Sequence, residues 1–129
     1  MRAIAGAIAF ALCGAAHAAC DPPGERIESV RYLLGYRTVP PGIAVGEPFS
    51  IEFSLCPKSG APLPQSVRVD AHMPEHRHGM NYRATVDPLG TGGYRAAGLM
   101  FHMPGRWELV FELRAGGASE RLTRSIVVE

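Results

Sequence analysis

The side chains able to bind or transform a ligand crowd into one stretch of this chain. Apart from Met1 and His17, every histidine (72, 76, 78 and 102) and every methionine (73, 80, 100 and 103) lies between residues 72 and 103. Two short segments carry them, His72-Met73-Pro74-Glu75-His76-Arg77-His78-Gly79-Met80 and Met100-Phe101-His102-Met103-Pro104-Gly105. Imidazole nitrogen binds copper, zinc, iron or nickel, whereas thioether sulfur is soft and selects chiefly Cu(I). The mixture predicts a copper ion, as Cu(I) or Cu(II). Zinc is the alternative, because it recruits His together with Asp or Glu, and Asp70 and Glu75 stand close in sequence. In an extended segment His76, His78 and Met80 project to the same side. The expected ligands are His76, His78 and His102 through nitrogen, with Met80 or Met103 as the soft donor.

Each residue also has a plainer reading. Met73 continues the inward series Val67, Val69, Ala71 and is expected in the core, with Met100 beside it. His72 continues the outward series Arg68, Asp70 and suits a solvated face as well as a ligand role. His102 can brace a tight corner by hydrogen bonding. Trp107 is expected as a core tryptophan, with a role beside the metal as the lesser reading. Catalysis finds little to stand on: there is no nucleophile-elbow motif and no cluster of paired carboxylates, so a non-enzymatic protein is expected.

These side chains must be positioned by short strands. Phe49, Ile51, Phe53 and Leu55 alternate with Ser50, Glu52 and Ser54. Val67 to Met73 and Trp107 to Leu113 repeat that period of two, which marks strands with one buried and one wet face. Tyr94 to His102 and Leu122 to Val128 add two strands, and Arg83 to Val86 a short one. Ile27 to Tyr36 is read as a single strand, although Ile27, Val30 and Leu34 also suit a helix. Turn signals fall between the strands, among them Pro40-Pro41-Gly42, Pro104-Gly105 and Gly116-Gly117. About seven short strands with turns between them predict an antiparallel immunoglobulin-like β-sandwich. The Pro104-Gly105 corner places His102 and Met103 at one end of it, where sites on this architecture gather.

The first residues read as an address. Arg2 precedes an uncharged run from Ala3 to Ala16, and Ala16-His17-Ala18 has the small-x-small form that signal peptidase cleaves. Residues 1–18 are expected to be a secretory signal and 19–129 the mature domain, exported and most simply periplasmic. Cleavage removes Arg2, leaving 13 − 1 = 12 basic residues against 12 acidic ones. Formal neutrality argues against electrostatic capture of nucleic acid or an anionic membrane as its main task. Cys13 leaves with the signal. The remaining pair, Cys20 and Cys56, is expected to form a disulfide, the usual state of two cysteines in an exported protein.

The ordered combination Met73-Pro74-Glu75-His76-Arg77-His78-Gly79-Met80, then Gly93-Tyr94, then Phe101-His102-Met103-Pro104-Gly105-Arg106-Trp107 resembles the YtkA-like family of exported bacterial domains, similar to FixH-like domains. The resemblance covers about residues 45–128. It implies an immunoglobulin-like sandwich outside the cytoplasm and a role as an accessory to copper handling or oxidase assembly. Carried onto this chain, the family's histidines fall on His76 and His78 and its corner methionine on Met103. The leading expectation is a copper-binding protein that stores or delivers the ion, with a copper-handling protein as partner. Its rival is a metal-free interaction domain accessory to a membrane respiratory or transport complex.

Overall fold

The computed structural model describes residues 19–129. The expected signal peptide, residues 1–18, lies outside the described residues. Nine strands follow in order: β1 (Glu25–Glu28), β2 (Tyr32–Val39), β3 (Pro48–Pro57), β4 (Ser66–Met73), β5 (His78–Gly79), β6 (Thr85–Pro88), β7 (Gly93–Met100), β8 (Gly105–Ala115) and β9 (Ala118–Val128). They form two antiparallel sheets, of order β1-β2-β3-β7-β6 and β5-β4-β8-β9. The architecture is the all-β sandwich expected, and the described residues contain no helix.

The period-two segments become the strands because alternation lets each sheet turn one apolar face to the other. Leu34, Ile51, Phe53 and Leu99 from the first sheet meet Ala71, Met73, Leu109, Phe111 and Leu113 from the second, all buried. Trp107 is the largest wholly buried side chain and Met73 is 1% exposed, so both take the core places expected of them. Met100 is only half-buried, because it ends β7 opposite Pro48 rather than continuing into the interior.

Nine strands replace about seven for two local reasons. The segment from Ile27 to Tyr36 is a hairpin, not one strand. The Ser29 amide donates to the Tyr32 carbonyl at 2.8 Å and the Tyr32 amide to Ser29 Oγ at 3.1 Å, closing a tight turn that throws Val30 into solvent. The two-residue β5 adds a further strand within the His/Met window. Elsewhere turn chemistry agrees with the sequence: Gly116 and Gly117 both have positive φ and link β8 to β9, as a two-residue hairpin requires.

The wet face of the first sheet carries a charged row across its strands. Glu52 accepts from Arg37 on β2 and from Arg95 on β7, each at 3.0 Å. Register also fixes the two poles of the sandwich. β3 enters beside Met100 and leaves at Cys56, which is disulfide-bonded to Cys20 with Cα atoms 5.7 Å apart. The bridge therefore ties the start of the described chain to one pole. The ends of β4 and β7 and the start of β8 meet at the other.

Candidate metal centre

β4 and β5 form the hairpin that presents the first histidines. Met73 pairs with His78 and His72 with Gly79, leaving Pro74 to Arg77 as the turn. The His76 amide donates to the Met73 carbonyl at 3.2 Å and the Met80 amide to the Ala71 carbonyl at 3.3 Å. Arg77 sits at φ +53°, the left-handed region that L side chains seldom adopt, and this lets the chain reverse within four residues. His76 and His78 are consequently not neighbours on an extended strand, as their spacing suggested. They approach across a turn, with ring centroids 5.8 Å apart.

The second segment is the corner between β7 and β8. Phe101 is buried, and its carbonyl accepts from the Gly46 amide at 2.8 Å. Gly105 turns the corner at φ +126°, and a Cβ there would lie 2.8 Å from Met73 Cε. Between them, His102 and Met103 are half-buried. The Met103 carbonyl accepts the indole N–H of Trp107 at 3.0 Å, giving the buried ring the polar partner it needs.

These two segments bring His78 and His102 together, with ring centroids 5.2 Å apart. Two imidazoles sharing one ion at about 2.0–2.1 Å have centroids roughly 4.5–6.3 Å apart, depending on the angle at the metal. His78 Nδ1 lies 3.1 Å from the carbonyl of Gly79. A carbonyl only accepts, so Nδ1 carries the proton and Nε2 of the neutral ring presents a lone pair. Nδ1 of His102 is buried and has no hydrogen-bond partner among the described residues. A buried polar nitrogen left without a partner is costly, and a ligand at that atom removes the cost.

Trp107 stands behind both rings. Its ring lies 5.5 Å from His102 and 6.0 Å from His78, edge-on to each at interplanar angles of 78° and 71°. Phe101 also stacks on it, 4.5 Å away. Sequence reasoning assigned Trp107 to the core with a place beside the metal as the lesser reading, and what it missed was the contact with His78 and His102 at once. The available signal was the requirement of a buried indole N–H for an acceptor, combined with its place four residues after Met103.

The five expected ligands are not all gathered. His76 is exposed at the turn, with its ring 5.8 Å from that of His78. Met80 and Met103 are half-buried and pack against the core, as plain apolar side chains do. Among the described residues, no three His, Cys, Asp or Glu side chains are grouped closely enough to hold an ion. The carboxylates that would steer the site toward zinc are engaged elsewhere. Asp70 Oδ1 accepts from the Ala71 amide at 2.8 Å, and Glu75 pairs with Arg106 at 3.3 Å. His72 faces Glu108 at 3.8 Å on the outer surface of its sheet.

A family model described as YtkA-like matches residues 37–112, a segment that contains all five expected ligands. No curated protein and no solved structure matches the chain.

Proposed function

The chain belongs to the YtkA-like family, and on that premise we propose that it is an exported, periplasmic copper-binding protein that stores the ion or delivers it to a copper-handling partner. The observation that carries this reading is the unpartnered, buried Nδ1 of His102, on a ring whose centroid lies 5.2 Å from that of His78. His78 and His102 are the nitrogen donors of the proposed site. Met103 or Met80 supplies sulfur after a change of side-chain rotamer, and exposed His76 serves as the entry ligand. A donor set short of hard oxygen and rich in imidazole and thioether favours copper over zinc. Holding an ion is the whole of the chemistry required, because storage and delivery break no covalent bond.

The test is titration of the purified, disulfide-bonded protein with Cu(I), Cu(II) and Zn(II) against competing chelators. The expected result is one copper ion per chain, held more tightly than zinc and lost in the His78→Ala/His102→Ala variant. Micromolar or weaker copper binding that is unchanged in that variant overturns the proposal. Exposure of His76 and Arg77 at the tip of the β4–β5 turn favours a second reading, a docking surface for a membrane complex that needs no metal. In that case partner capture is insensitive to chelators and to substitution of the histidines.

A further inference from the structure

Trp107 makes four contacts that a tryptophan serving only as core filler has no reason to combine. It is wholly buried. Its N–H fixes the Met103 carbonyl, and hence the backbone next to His102. Its ring lies edge-on against both His78 and His102, which come from different segments of the sheet edge. Phe101 stacks on it at an interplanar angle of 5°, so the ring cannot tilt away from the imidazoles without breaking that stack. The indole thus lies against both rings and also holds the corner carrying one of them.

The consequence concerns which copper ion fits. Cu(II) prefers a tetragonal set of nitrogen and oxygen donors, and where the protein supplies only two nitrogens the remainder must be water. On the inner side of the pair, the side that faces Trp107, the buried indole packs directly on both rings and leaves no room for that water. Cu(I) is satisfied by few, soft donors, and the half-buried thioethers of Met80 and Met103 are the side chains at hand. We infer that Trp107 is the positioning residue of this site, holding His78 and His102 as a two-nitrogen pair with water kept off their inner side, and that the site is thereby selective for Cu(I) over Cu(II). The inference rests on the copper reading above and adds to it an oxidation state and the residue that sets it.

The experiment compares affinities for Cu(I), kept reduced with ascorbate, which spares the disulfide, and for Cu(II). It uses the wild type, Trp107→Phe, and Phe111→Leu as a control for loosening the core at a buried site on the same strand. Loss of an outer-shell partner typically costs about tenfold or more in metal affinity. The expected result is that Trp107→Phe lowers the ratio of Cu(I) to Cu(II) affinity by about tenfold or more, while Phe111→Leu leaves the ratio within about threefold. A general loss of stability weakens both ions together and does not move the ratio. A ratio in Trp107→Phe within about threefold of the wild type overturns the inference even though copper still binds. Trp107 is the single tryptophan of the chain, so the wild type gives a second readout that needs no variant to fold. Cu(I) binding is expected to change its emission, and unchanged emission on loading overturns the inference. If the wild type takes neither ion, the copper reading itself has failed and the selectivity falls with it.

Discussion

The imidazoles of His78 and His102 come together from two separate turns, one closing the β4–β5 hairpin and the other joining β7 to β8, with ring centroids 5.2 Å apart. Neither turn alone makes a site. The pair exists because the β4–β8 register brings the end of one strand beside the beginning of the other, with His72 opposite Glu108.

His78→Ala and His102→Ala are each expected to weaken copper binding by about a hundredfold or more, the upper end of what loss of a supporting partner costs. His76→Ala is expected to cost less than about tenfold, because the residue is exposed at the tip of the turn. Competition titration against a chelator of known affinity checks the order, and equal losses at all three positions would contradict it.

Gly105→Ala is expected to destabilise the fold by about 1–3 kcal/mol, the usual cost of forcing a side chain into a backbone conformation it does not adopt. Two effects add at that position: φ is +126°, and the new Cβ presses on Met73 Cε at 2.8 Å. Urea unfolding of the variant and the wild type measures the difference. No loss of stability would mean that the corner can relax, and with it the placement of His102.

Replacing Cys20 and Cys56 together by alanine is expected to cost about 3–4 kcal/mol, from the larger conformational freedom of the unfolded chain once its 36-residue separation is no longer bridged. Copper affinity should stay within about threefold of the wild type, because distant sites without shared partners act independently. The bridge lies at the pole opposite the histidines. A large fall in affinity in a folded variant would show that the two poles are coupled.

Glu52 sets part of the acid limb of stability. The hydrogen bond from Arg37 is the chief reason its carboxyl is held below the ordinary 4.5, helped by the charges of Arg37 and Arg95 against the opposing effect of burial. A carboxyl depressed in the folded state stabilises fully above its unfolded value, and that contribution is lost as pH falls through the folded value. Stability is therefore expected to decline below about pH 4.5 in the wild type. Glu52→Gln should be less stable at neutral pH and show a shallower acid decline. Denaturant midpoints from neutral pH downward decide this, and parallel curves for the two proteins would remove Glu52 from the account.

Much of the sandwich was legible in the chain because alternation is a local property. Phe49 to Leu55 and Trp107 to Leu113 state which side faces inward without reference to any partner. The break at Ser29 was not legible, since Tyr32, Leu34 and Tyr36 continue the alternation on one side of a turn closed by a serine hydroxyl and two backbone groups. The site divides in the same way. His76 and His78 are two residues apart and read as neighbours, and they are neighbours, but across a reversal at Arg77 rather than along a strand.

By itself the sequence determined the two-sheet class, the inward places of Met73 and Trp107, the pairing of Cys20 with Cys56 and the window that holds the candidate ligands. These follow from period, composition and cysteine count, which need no knowledge of what packs against what. Only the tertiary structure decided that His78 meets His102, that His76 stays at the rim, and that Trp107 lies against both rings while its N–H holds Met103. Those contacts depend on non-local strand register and on two turns whose left-handed residues, Arg77 and Gly105, set the direction of the side chains beside them. Spacing along a chain states which groups share a strand face. Distance between groups on different strands is set only when the sheets close.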